Sequence, residues 1–250
     1  MKIKLLLFLF MVSPSFLVGQ APSADDIIRQ VTTIMSPENT YSRGSQTIVT
    51  SSGKERTFEF ESWSAGQGKS SLTRYTKPAA VRGQAFLMLN HADDIWSYFP
   101  RTKRVRKLAS HAKKQKMQGS DFTYEDMGGG DVFQKKFRAS ILAEETRFKS
   151  LVWKLELKGI PEMEPPYPKL ILWVRQSDYF PIAIDYYDKN DFNSKTLRLS
   201  DIQMIENYPT AMVMEMTDHK ERSTTTMKTL EVTYSWEPPA GFFSERSLKK

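Results

Sequence analysis

Apolar residues recur at every second position over most of this chain, and that period restricts it to a mainly β fold. In 151–159, Leu151, Trp153, Leu155 and Leu157 alternate with Lys154, Glu156 and Lys158, the pattern of a strand with one face buried. Segments at 42–50, 54–63 and 69–77 are rich in Thr, Ser, Phe and Trp and are separated by Ser51-Ser52-Gly53 and Gly66-Gln67-Gly68 turns. Strands at 84–90 and 94–99 flank Asp93-Asp94, and 103–108 extends the meander. After a less regular region the pattern resumes at 151–159, 169–175, 181–187, 195–205, 211–218 and 224–236. The last of these carries Leu230, Val232, Tyr234 and Trp236 on one side. An antiparallel sheet of ten to twelve strands within one domain must curve strongly or close, because an open sheet that wide curls.

One segment has a helical period instead. In 23–35, Ile27, Ile28, Val31, Ile34 and Met35 share a face, Ser23 is placed as N-cap, and Asp25 and Asp26 suit the positive end of the helix dipole. Its expected role is to cover an apolar sheet face. Upstream, Lys2 and Lys4 precede an apolar run from Ile3 to Val12, with Leu17 and Gly19 before Gln20. That layout predicts a secretory signal peptide over 1–19, cleaved near Gln20, with 20–250 as a single exported, periplasmic domain. The run is too short to span a bilayer of about 30 Å. With no cysteine in 250 residues, stability must come from packing without disulfides.

The formal charge of +7 is local in origin. Removing Lys2 and Lys4 leaves 34 of the 36 basic residues against 29 acidic ones, or +5. Eight basic residues and no acidic one lie between Arg101 and Lys116, so the remainder is slightly acidic, 26 against 29. A solvated strand and loop is the default reading. Export and the lack of interleaved aromatics after Phe99 argue against nucleic acid, whereas an anionic membrane surface or the acidic face of a membrane partner suits the compartment. Arg101, Lys103, Arg104, Arg106 and Lys107 are the docking candidates.

No constellation for catalysis appears. His91, His111 and His219 are scattered, and neither a zinc-ligand spacing, a Gly-x-Ser-x-Gly elbow nor a phosphate-binding Gly-x-x-x-x-Gly-Lys is present. Gly128-Gly129-Gly130 reads as a flexible joint, and 188–193 lacks the Gly and Glu of a calcium loop. Asp121, Glu125 and Asp126 supply carboxylates without a nucleophile or metal partner, so no enzyme, metal or cofactor is expected and a lipid-headgroup hydrolase is the remote alternative. Met212, Met214 and Met216 alternate with Val213, Glu215 and Thr217; three thioethers on one side of a strand fit either gap-filling in a core or a surface adapting to varied apolar shapes.

The segment 77–126 carries a set of ordered pieces: Lys77-Pro78, Arg82-Gly83, Phe86-Leu87, Asp94-Ile95-Trp96, Tyr98-x-Pro100, Lys103-Arg104-Val105-Arg106-Lys107 and Gly119-Ser120-Asp121-Phe122-Thr123-Tyr124-Glu125-Asp126. In their order and spacing they resemble the outer-membrane lipoprotein-sorting protein family of the LolA/LolB-like superfamily. The resemblance implies a strongly curved, unclosed antiparallel half-barrel of about eleven strands, with helices packed in its concave side as a lid. It implies a periplasmic chaperone that binds acyl chains of a lipoprotein or other lipid and carries them between envelope membranes. Some members of the branch work beside transporters of the resistance-nodulation-division class, so an accessory subunit docked on an inner-membrane transporter is the alternative. In this reading 23–35 and Gly119, Ser120, Asp121, Phe122, Tyr124 and Asp126 form the lid, with Phe122 and Met127 toward the cavity and Asp121 and Asp126 toward solvent or a basic strand. Leu87, Leu89, Trp96, Tyr98, Trp153, Leu155, Leu157, Met212, Met214 and Met216 are the sheet residues expected, with Phe122, to line it. Parity groups them on one face without saying whether that face is concave or convex.

Overall fold

The computed structural model describes residues 21–127 and 131–250, apart from the side chains of Ser110 and His111. The predicted signal peptide and the Gly128–Gly130 joint lie outside the described residues. Helix α1 (Ala24–Met35) starts in a capping box: the Asp26 backbone N–H donates to Ser23 Oγ (3.2 Å), and the Ser23 N–H donates to the Asp26 carboxylate (3.2 Å). Its Ile27, Ile28 and Val31 are buried, as their spacing predicts.

Thirteen antiparallel strands form one sheet: β1 (Asn39–Val49), β2 (Glu55–Ala65), β3 (Ser70–Lys77), β4 (Ala85–Leu89), β5 (Asp94–Phe99), β6 (Arg104–Lys107), β7 (Phe137–Arg147), β8 (Ser150–Gly159), β9 (Lys169–Arg175), β10 (Pro181–Tyr187), β11 (Asn193–Ile205), β12 (Tyr208–Asp218) and β13 (Ser223–Thr233). The order is β6-β5-β4-β3-β2-β1-β13-β12-β11-β10-β9-β8-β7. Both halves are meanders that meet where β1 pairs with β13, and the sheet stays open because β6 and β7 do not pair. The count exceeds the expected eleven partly because of β7, an edge strand exposed at most of its positions, which leaves no two-residue apolar period to read. A five-residue helix, α2 (Val132–Lys136), precedes it.

Strands β6 and β7 are consecutive in sequence yet lie at opposite ends of the sheet, so residues 108–136 must bridge from one edge to the other. The described residues of this connection, 108–127 and 131–136, cross the face that α1 also covers, where Met117, Phe122 and Tyr124 join Phe58, Tyr75, Phe86, Ile95, Leu155, Leu157, Leu172, Met216 and Met227 in the main core. The opposite face is closed at the β3–β5 end by the C-terminal segment: Phe242, Phe243 and Leu248 pack with Leu72, Ala85 and Leu87, and Arg74 Nη2 donates to the Ser247 carbonyl (2.6 Å). A second cluster on the other half of that face unites Val152, Ile171, Trp173, Ile182 and Ala183.

Where β1 meets β13 the register slips: Arg43 pairs with Glu231 but Gly44 with Thr229, leaving Leu230 as a bulge. A Cβ on Gly44 would lie 2.8 Å from Phe60 Cζ and 3.0 Å from the Lys228 carbonyl, so only glycine fits. The bulge interrupts the apolar alternation predicted for 224–236. Leu230 is exposed, β13 ends at Thr233, and Trp236 leaves the strand to pack edge-on against Phe242. Because Leu248 is fully buried, Leu248→Ala should cost about 2–5 kcal/mol. An unchanged urea midpoint would show that the C-terminal segment does not hold the outer face.

Candidate functional site

The bridge is fastened to the middle of the sheet by Asp121. After Gly119, whose φ of +70° strains any residue with a side chain, Ser120 to Tyr124 are all buried. Asp121 is 1% exposed. Its Oδ1 accepts from Ser223 Oγ (2.6 Å) and Lys116 Nζ (3.1 Å), and its Oδ2 from Thr225 Oγ1 (2.7 Å). The Asp121 N–H donates to Thr225 Oγ1 (2.9 Å). Lys116 also meets Asp218 (3.0 Å) and Glu221 (2.7 Å); burial pulls its pKa down, but hydrogen bonds to Glu221, Asp218 and Asp121 outweigh that and hold it above the ordinary value. A buried carboxylate is tolerated when donors replace its lost water, and here they do.

Asp126 fastens the far end of the bridge. Its Oδ1 accepts from the Tyr167 hydroxyl (2.8 Å), and its Oδ2 from the Thr123 N–H (2.8 Å) and Lys195 Nζ (3.3 Å). Lys195 Nζ also donates to the Asp121 carbonyl (3.0 Å). Of the two placements expected for Asp121 and Asp126, solvent or a basic strand, the solvent-facing one is corrected: both carboxylates turn inward to lysines, Lys116 of the basic stretch and Lys195 of β11, because the bridge passes over β11 and β13. Burial, then the Asp126 carboxylate, raises the Tyr167 pKa.

Beside this bridge the packing is incomplete. A cavity of about 350 Å³, within the range of small-molecule sites, opens between the C-terminal end of α1 and the sheet. Met35, Met88, Met117, Met127 and Met214 line it, five of the chain's twelve methionines, with Ile34, Phe180, Leu199 and Tyr234. Its polar lining is hydroxyl-bearing (Thr40, Ser62, Ser64, Ser71, Thr73, Thr210), and no Asp, Glu, Lys, Arg or His takes part. A second cavity of about 170 Å³ adjoins it at Met35, Ser36 and Leu199 and is walled by Val31, Phe133, Phe137, Leu170, Ile184, Tyr186 and Leu197, with Glu125, Asp126 and Tyr167 on one side.

The residues expected to line one face divide between two. Leu87, Leu89, Trp96 and Tyr98 lie on the outer face with the C-terminal segment. Trp153, Leu155, Leu157, Met216 and Phe122 are buried in the main core on the bridged face, and Met214 on the same side reaches the cavity wall. Met212 stands on β12 in step with Met214 and Met216, half-buried, and is not among the residues packed in either cluster. The β4 alternation is as expected, but it is Phe86 and Met88, not Leu87 and Leu89, that face the bridge. In β5 the residue facing the bridge is Ile95, and Trp96 and Tyr98 face away. Both phases of β4 are apolar, so parity leaves the choice open. The unread signal for the cavity was the recurrence of methionine on separate elements, at 35, 88, 117 and 127 as well as 214. Met127 does line the larger cavity. His91 lines a polar cavity with Asp93, Lys113 and Lys136, and His219 Nε2 lies 2.9 Å from Thr196 Oγ1. No group of three metal-ligating side chains occurs among the described residues.

Two measurements test this geometry. Asp121→Ala removes one of the three carboxylates around Lys116 and leaves the Ser223 and Thr225 hydroxyls without their acceptor, and should destabilise the fold by about 2–3 kcal/mol; a loss below about 1 kcal/mol in urea unfolding would show that the clasp is not structural. Glu125, between the smaller apolar cavity and the polar one, has its pKa raised by burial against the opposing pull of Lys136, Lys114 and Lys113. Its proton is held more tightly in the folded state, so its contribution is fully present below the unfolded value of about 4.3 and is lost as pH rises through the folded value. Glu125→Gln should thus be more stable than the unmodified protein at pH 7 and match it near pH 4. A less stable variant at pH 7 would mean the anion supports the fold.

Comparison with known proteins agrees with this architecture. A DUF1329 family protein from Desulfovibrio piger superposes with a TM-score of 0.83 at 25% identity, over 90% of this chain and 97% of that one. A domain from Vibrio parahaemolyticus assigned to the outer membrane lipoprotein-sorting proteins gives 0.78 at 24% identity, over 89% and 97%. A LolA superfamily protein from Nitrosomonas europaea gives 0.74 at 22% identity, over 91% and 100%. No curated protein matches the sequence. A family model described as "Uncharacterized protein" matches residues 67–250. The chain belongs to the family of that model, and its open antiparallel sheet is the fold of the LolA-superfamily and lipoprotein-sorting structures.

Proposed function

We propose that the protein is a periplasmic carrier that shelters acyl chains of a lipoprotein or another lipid between sheet and bridge and moves them between envelope membranes. After removal of 1–19, residues 20–250 would work as one domain. The observation that carries this reading is the uncharged, methionine-lined cavity under the end of α1. An apolar chain gains about 0.8 kcal/mol for each methylene withdrawn from water, and thioether side chains adapt to chains of different length and branching. The hydroxyl groups along one wall can bond a carbonyl or ester without imposing a charge requirement. Support also comes from one fold relative assigned to lipoprotein sorting and another to the LolA superfamily, and no helix among the described residues is long and apolar enough to cross a membrane.

Carriage is favoured over hydrolysis by the state of the carboxylates. Asp121 and Asp126 have both oxygens occupied by donors that hold the bridge, which leaves neither oriented for a proton transfer to cargo. The two cavities share Met35, Ser36 and Leu199, so a displacement of the end of α1 would reshape both together.

Protein isolated from membranes and analysed by native mass spectrometry should retain a lipid or an acylated peptide, and an empty protein in every preparation would refute the carrier. Met214→Trp, which places an indole in the larger cavity, should reduce that retention at least tenfold with an unchanged circular dichroism spectrum; undiminished retention would place the cargo elsewhere.

A further inference from the structure

The basic stretch does not act as a unit in the folded protein. Lys107 pairs with Asp94 (2.6 Å) and lies over the Trp96 ring, Lys113 pairs with Asp93 (2.8 Å), and Lys116 is taken up by the Asp121 clasp. Among the described residues no carboxylate lies within ion-pair distance of Arg101, Lys103, Arg104 or Arg106, all of them exposed. These four lie on the outermost strand and its turn.

Strand register directs them further. Arg104 pairs with Phe99 and Arg106 with Ser97, in phase with Ile95, so both side chains project on the bridged side of the sheet, whereas Val105 and Lys107 pair with Tyr98 and Trp96 on the outer side. Beside them is an open cleft of about 590 Å³ whose apolar surface is Ala79, Ala80, Val81, Phe99 and Pro100 and whose cations are Arg82, Arg101 and Arg106. Phe99 is 40% exposed there, and Val81 is shared with the main core. Arg82 was not among the docking residues read from sequence; the turn at 78–84 brings it to the cleft, with its Nε held by the Thr76 carbonyl (3.2 Å).

We propose that this β6 edge is a docking surface for anionic phospholipid bilayers, with Arg82, Arg101 and Arg106 on phosphate headgroups and Phe99 entering the interface. Guanidinium groups pair with phosphate oxygens in a bidentate fork, and an apolar side chain among them adds interfacial burial that a purely electrostatic contact lacks. The same cluster is uncompensated for good reason: an edge strand studded with free cations resists pairing with another sheet while remaining attractive to an anionic surface. This surface extends the carrier reading without depending on it, since it is separate from the methionine-lined cavity.

The test is co-sedimentation of the full mature chain with vesicles of phosphatidylcholine, with and without 30% phosphatidylglycerol, at low and high salt. Binding is expected only with phosphatidylglycerol and should weaken as salt rises. Each basic residue near such a surface contributes roughly fivefold, so Arg82→Gln, Arg101→Gln and Arg106→Gln together should weaken partitioning about a hundredfold. Removing the same charge from the opposite end, with Arg138→Gln, Lys149→Gln and Lys158→Gln, should weaken it less than tenfold. Equal losses in the two triple variants would overturn the proposal by showing that net charge alone matters. Absence of vesicle binding by the unmodified protein would also overturn it and point to an acidic protein face as the occupant. Retention of lipid by the cleft variant in native mass spectrometry separates a failure of docking from a failure of cargo binding.

Discussion

The structure depends on one connection. Because the two meanders meet at β1 and β13, the chain must travel from β6 at one edge to β7 at the other, and the only route compatible with a buried sheet face is across it. A backbone laid over an apolar face has polar groups to satisfy, and Asp121 and Asp126 supply the fastening through Thr225, Ser223, Lys116, Tyr167 and Lys195. Buried charge networks of this kind add little net stability compared with apolar packing, but they specify register, and register is what a bridge of short helical turns without strand pairing to the sheet lacks. The clasp therefore determines where the bridge sits more than how tightly the whole molecule holds.

Fastening at two points leaves space elsewhere. Helix α1 is docked by Ile27, Ile28 and Val31 near its start, while Ile34 and Met35 at its end stand over the cavities. A core completed with Leu or Ile in defined rotamers would close such gaps, whereas methionine tolerates them because its three torsions and soft sulfur accommodate varied neighbours. The concentration of methionine at this one place, with charge excluded, separates the cavity from the well-filled cluster under Leu155, Leu157 and Leu172.

Charge is sorted just as distinctly. Lysines of the basic stretch that fold back toward the sheet find carboxylates, and the arginines at the rim do not. One block of sequence thus serves two physical ends: Lys116 is part of the fastening, and Arg101, Arg104 and Arg106 remain available at the edge. Net charge alone does not reveal that division, because it is made by the alternation of β6 and by the turn that follows Phe99.

Local chemistry by itself determined much of this. The period of two placed most strands, and Ser23 as N-cap with the Ile27, Ile28, Val31 face specified α1, since both signals are read from neighbours along the chain; that Asp26 closes a capping box back onto Ser23 came from the structure. The resemblance carried by 77–126 indicated an open sheet with a cover. Only the tertiary structure decided which side of each strand is covered: Leu87 and Met88 are equally apolar, and what separates them is that the bridge crosses one face and Phe242, Phe243 and Leu248 the other. It likewise decided that β13 would break step at Leu230 opposite Gly44, and that Asp121 would be a buried anchor instead of a solvated carboxylate. Those outcomes depend on partners about a hundred residues or more away in sequence, Thr225 for Asp121 and Leu248 for Leu87, and no local pattern carries that information.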